Sequence, residues 1–250
     1  MQTIFVNIIT GKKYSTLFEF SLIFFGIIVF AIGYAVKIHF TNPTILYNSL
    51  KTPWGVITAI FVYDGDGNIV AYSFFASFFI GVNAAYDRSI RANRYSLAIC
   101  LSIFSAIIAN ISNLVLYVIV NKNGSAYGQS GIVYGFMGAV TAMTFFDFLI
   151  YLLIFIRRVR KHPIGLKIKK ISNRKSRKVA TSTFMVFTLL FTIVYVLIDP
   201  LNFFSVAPGV DSFVHLISFG TGAIVSVGIL YKYKERLMWA SELPKQRNLA

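Results

Sequence analysis

The sequence has one cysteine, Cys100, in 250 residues, which excludes an internal disulfide and a cysteine-based zinc site. Charge is also scarce. Only 13% of residues are Asp, Glu, Lys or Arg, against about 25% in soluble chains, so a water-soluble globule could not cover its surface. Acid is scarcer still: nine acidic residues face 24 basic ones, for a net charge of +15. An excess of base often signals nucleic acid, but that reading needs a soluble basic face, and this chain has none. What is abundant is apolar: 56% hydrophobic residues, including 25 phenylalanines. A soluble enzyme, a disulfide scaffold and a disordered tail are excluded, and a polytopic membrane protein is expected.

Crossing about 30 Å of hydrocarbon takes roughly 20 helical residues. Apolar runs of that order occur near 17–36, 69–86, 95–120, 131–156, 179–198 and 213–231. The expected fold is therefore an all-α bundle of six spans in a single membrane domain over residues 1–250, with its core at about 17–232. The first run does not read as a secretory signal: some sixteen residues precede it, Glu19 sits near its start, and no small-x-small cleavage site follows.

Orientation follows from the loops. With the N-terminus in the cytoplasm, 21 of the 24 Lys and Arg fall on that side, leaving only Lys37, Lys51 and Lys122 opposite. The positive-inside bias then predicts that both termini are cytoplasmic. Eleven of these charges crowd the loop at 157–178, which is expected to fix topology and touch anionic lipid headgroups. Spans four and six both run from outside to inside, so their first turns share a depth at the outer face.

Polar groups inside apolar spans cost free energy and each asks for a reason. His39 and His162 lie outside the spans; His215 lies about one turn into the sixth. Alone, it reads as a hydrogen-bonded packing residue. Span four opens with Gly128-Gln129-Ser130-Gly131-Ile132-Val133-Tyr134-Gly135. An isolated Ser130 would bond back to its own helix, and Ile132 breaks the Gly-x-Ser-x-Gly elbow of soluble hydrolases. The spacing of small residues adds information. Gly131, Gly135 and Gly138 share one face of span four, and His215, Ser218, Gly222 and Ser226 share one face of span six. Such stripes let two helix backbones approach closely. A serine and a histidine with short side chains need that approach to act as nucleophile and base.

In these residues the sequence resembles the rhomboid intramembrane serine proteases. The match lies in Gly128-x-Ser130-Gly131, in Tyr134, in His215 with small residues three and seven positions on, and in Pro53-Trp54-x-x-x-Thr58 before span two. The resemblance implies a multi-pass endopeptidase of the cell membrane with a Ser130–His215 dyad and no acid member. Ser130 would attack the scissile carbonyl, and His215 would take its proton and return it to the leaving amine. Tyr134 would pack against the imidazole and hold its orientation. Substrates would be single-pass membrane proteins, reaching the site between spans two and five. Water is the second substrate; no metal, cofactor or nucleic acid is implied.

The oxyanion site departs from the family. The family uses the nucleophile's backbone N–H with a histidine and an asparagine near the start of span two. A gapless placement puts Asn68 and Tyr72 at those positions. Shifted by a turn, Asn68 itself takes the asparagine place. By the resemblance Gly128, two residues before Ser130, is grouped with Asn68 and Tyr72 as an oxyanion or substrate residue. The departure leaves a catalytically weak or inactive relative, binding membrane helices without cutting them, as the alternative. Val214 and Ser218 also stand where the family prefers alanine and glycine.

Other features have plainer readings. Asp64-Gly65-Asp66-Gly67-Asn68 fails as an EF-hand, since positions six and twelve are Ile69 and Phe75; it is read as a turn into span two. Asn110 and Asn113 share a face and are expected to bond across helices. Asp147, 17 residues beyond Ser130, lies about 26 Å deeper and cannot complete a triad. Asp211 is read as the cap of span six. The loop with Phe203, Phe204, Pro208 and Gly209 is read as a lid. Asn123-Gly124-Ser125 fits a glycosylation sequon only by pattern, and Trp54 also reads as an interfacial anchor. A small transporter would show internal repeats and acidic residues at mid-membrane, and neither is found.

Overall fold

A computed structural model describes residues 24–39, 43–63, 65–83, 88–121, 125–161, 183–194 and 212–233. They are mostly helical. Among the described residues six longer helices follow one another: α1 (Phe25–His39), α2 (Asp66–Asn83), α3 (Arg88–Ile119), α4 (Ser130–Lys161), α5 (Thr183–Val194) and α6 (Ser212–Lys232). Stretches of α3, α4 and α6 (Ile90–Ile119, Ser130–Ile150 and Ser212–Lys232) are each long and apolar enough to cross a membrane. Lys12, Lys13, Glu19, Asp64, His162, most of the basic loop, the Phe203–Gly209 loop, Asp211 and Asn123-Gly124 lie outside the described residues.

The helices do not start and stop where the apolar runs do. Helix α3 begins at Arg88, well before the apolar run that opens at Tyr95, so Arg88, Arg91 and Arg94 are helical and not in a loop. Arginine is a strong helix former, and one of these arginines has a buried partner. Arg94, fully buried, grips Asp147 of α4 through two bonds of 2.7 Å. It also donates to Asn83 Oδ1 of α2 at 2.9 Å. Three helices are thus tied at the end of the bundle remote from Ser130. Helix α4 likewise runs on to Lys161, through basic residues that favour helix.

Helix α4 is the centre of the bundle: every residue from Gly131 to Val140 is buried. Phe136 sits among Tyr72, Phe79 and Tyr95 from α2 and α3, with ring centroids 4.7, 6.3 and 6.1 Å away. The outer flanks are apolar instead, with Ile27, Ile28, Leu216, Ile224 and Val227 exposed. That arrangement suits a lipid solvent and not water. Phe74 and Phe78 of α2 meet Phe184 and Phe191 of α5 in a ladder of rings 5.7–6.4 Å apart.

The segment between α1 and α2 folds over the head of α4. Strand β1 (Asn48–Ser49) pairs antiparallel with β2 (Ser125–Ala126), Asn48 opposite Ala126. Asn48, fully buried, donates to the Asn110 carbonyl at 2.8 Å, and Asn110 Nδ2 donates to the Val56 carbonyl at 3.1 Å. Asn110 does bond across elements, though to the α1–α2 segment and not to another long helix. Thr58 Oγ1 and Trp54 Nε1 close the segment on itself, donating to the carbonyls of Leu46 and Ile45. Trp54 itself is exposed.

Candidate functional site

Gly128 turns the chain into α4 with φ at +136°, a conformation that favours glycine. Its N–H donates to the Ala59 carbonyl at 3.0 Å, which fastens the loop to the α1–α2 segment. Gln129 then opens the helix: its carbonyl accepts from the amides of Ile132 and Val133. Its side chain, fully buried, reaches α1 and donates to the Val29 carbonyl at 2.8 Å. Ser130 follows as the first residue of α4, half-buried, at the end where the helix dipole is positive. The position of Ser130 is therefore set from both sides. The sequence motif does not mark Gln129, because its burial and its bond to Val29 depend on a helix 100 residues away.

Helices α4 and α6 touch backbone to backbone. A Cβ on Gly138 would overlap the Phe219 carbonyl oxygen, and one on Gly222 would overlap that of Gly135. Only glycine permits this distance. Ser130 precedes Gly138 by eight residues and His215 precedes Gly222 by seven. At about 1.5 Å per residue both stand roughly 10–12 Å from the crossing, at nearly the same height. His215 is buried, and its ring lies flat on that of Tyr134, centroids 4.1 Å apart and planes 8° from parallel. Gly131 sits against Ala106 of α3 and Ser218 of α6. Gly135 sits against Ser102 and Ser105 of α3. Ser218 is fully buried beside this face.

The two oxyanion candidates lie apart. Asn68 is the third residue of α2 and half-buried. Tyr72, one turn deeper, is buried in the core against Phe30 and Phe136. Phe136 is six residues beyond Ser130, so the Tyr72 ring sits about 9 Å down α4 from the serine. Its phenol faces Tyr95 of α3. At the mouth of α2, Tyr63 bonds Asp66, and Lys37 of α1 sits over the Tyr63 ring at 4.6 Å. Among the described residues no three His, Cys, Asp or Glu side chains gather where a metal would need them.

No family model, curated protein or solved structure matches the chain.

Proposed function

We propose that the chain is an intramembrane serine endopeptidase of rhomboid type, cutting peptide bonds in or next to membrane helices of other proteins. In this reading all six helices cross the cell membrane, both termini are cytoplasmic, and the Ser130 end of α4 faces the opposite side. Ser130 Oγ attacks the scissile carbonyl while His215 accepts its proton. The imidazolium then protonates the leaving amine, and water enters to hydrolyse the acyl-enzyme with His215 again as base. The observation that supports this most is the flat stack of His215 on Tyr134 at the height of Ser130. It holds an imidazole in one plane beside a helix head.

The tetrahedral intermediate needs donors, and losing one costs about 2.7–4 kcal/mol in a soluble precedent. The backbone N–H of Ser130 is one. Asn68 is the better second donor, because Tyr72 is packed into the core well below the serine. The route for a substrate helix lies between α2 and α5, where contact rests on stacked phenylalanines with no polar bond among the described contacts. Unwinding of the substrate near its cut site accompanies that step, so small or helix-breaking residues are expected there.

The substituted oxyanion position favours a second reading, a rhomboid-like protein that binds membrane helices without cleaving them. Incubating the purified full chain with a membrane-helix reporter separates the two. The protease reading expects cleavage by wild type and none by Ser130→Ala or His215→Ala. Binding without cleavage by all three would establish the second.

A further inference from the structure

Buried hydroxyls in the helices of this chain mostly bond a carbonyl one turn earlier. Ser96 bonds Ala92, Ser102 bonds Ile99, Thr144 bonds Val140 and Thr192 bonds Thr188, all at 2.7–2.8 Å. In an apolar helix that carbonyl is the acceptor closest to hand. Ser218 behaves differently. It is fully buried, its Oγ has no hydrogen-bond partner among the described residues, and it is turned to α4, 3.5 Å from where a Cβ on Gly131 would stand. Two other buried serines share the trait, and both are near the same place: Ser105 at Gly135, and Ser212 one turn before His215. Orphaned hydroxyls are rare because each costs the full desolvation of the group. Proteins commonly resolve them with a bound water that has two to four polar partners.

The position of Ser218 indicates what that water would serve. The residue lies one turn below His215 on the same face and beside Gly131, the residue after Ser130. Side chains on a helix lean toward its N-terminus, which on α6 is the side where His215 stands. We propose that Ser218 is a positioning residue: its hydroxyl holds a water beneath His215 and through it hydrogen-bonds the imidazole, fixing the tautomer that faces Ser130. This rests on the protease reading for its consequence, but the hydrogen bond itself does not. Tyr134 then sets the plane of the ring, and Ser218 sets which nitrogen carries the proton.

The test is nitrogen NMR of the full chain in micelles with ring-labelled histidine, the His215 signals being assigned by their loss in His215→Gln. Ser218→Ala is expected to shift the His215 ring nitrogens, and Ser218→Thr, which keeps the hydroxyl, to restore them. Ser226→Ala, deeper on the same helix, is expected to leave them in place. Reporter cleavage by Ser218→Ala should lose about two- to tenfold in kcat with little change in KM, the effect of one modest hydrogen bond. Unmoved His215 signals in a folded Ser218→Ala protein would overturn the proposal and leave Ser218 a spacer. A shifted His215 signal in a protein whose wild type cleaves nothing would keep the hydrogen bond and defeat the protease reading.

Discussion

The His215 imidazole lies on the Tyr134 ring with the two planes only 8° apart, a parallel stack between neighbouring helices. Such pairs contribute about 0.5–1.5 kcal/mol beyond their buried area. The interaction is between ring faces, so Tyr134→Phe should keep most cleavage activity. Tyr134→Ala should lower kcat by about two- to tenfold, the same energy expressed as a rate. Steady-state kinetics on a reporter substrate reads the difference.

Gly222 and Gly228 share α6 but not their surroundings. At Gly222 a Cβ would overlap the Gly135 carbonyl oxygen; at Gly228 it would meet nothing within 4 Å. Gly222→Ala should therefore destabilise the fold by about 1–3 kcal/mol, as overpacking does. It should also separate His215 from Tyr134 and abolish most cleavage. Gly228→Ala should unfold within about 1 kcal/mol of wild type, since alanine favours helix. Thermal unfolding in detergent checks the pair.

Arg94 and Asp147 form a buried ion pair far from Ser130. Removing one partner strands the other charge, so Asp147→Ala should cost about 3–5 kcal/mol of stability. The double variant Arg94→Leu/Asp147→Leu should recover much of that loss. A double variant no better than Asp147→Ala would mean that the pair itself, and not a stranded charge, sets the stability.

The rings of Tyr47 and Tyr127 stack at 4.0 Å above the head of α4. Burial, with Tyr127 alongside, raises the pKa of the Tyr47 phenol above its ordinary value of 10.0. A raised acid binds its proton more tightly in the folded chain. Its stabilising effect is complete below the unfolded value and is lost as pH climbs through the folded one. Limited proteolysis of the α1–α2 segment should therefore accelerate above about pH 10. Tyr47→Phe should blunt that alkaline acceleration.

The helices were legible in the sequence because apolar runs are long-range averages that tolerate local error. Their ends were not. Residues 88–94 and 157–161 are rich in arginine and lysine, yet they continue the helices. Asp147 could be placed far from Ser130 by counting alone, but its pairing with Arg94 joins residues 53 apart, and no spacing rule reaches that far. Strands of two residues, such as Asn48–Ser49, leave no periodicity to detect. At the candidate site the small-residue faces could be counted from the sequence, whereas a contact of Tyr134 with His215 entered only through the family resemblance; the two rings stack 4.1 Å apart. The anchoring of Gln129 on α1 and the bare hydroxyl of Ser218 depend on three-dimensional neighbours and were not readable.

The central claim is that Ser130 is an activated nucleophile served by His215. Its most direct measurement is mass spectrometry of the folded full chain after exposure to a fluorophosphonate. The account predicts a single phosphonylated peptide carrying Ser130, absent from Ser130→Ala and strongly reduced in His215→Ala. Modification of other serines instead, or labelling that persists undiminished without the imidazole, would contradict it.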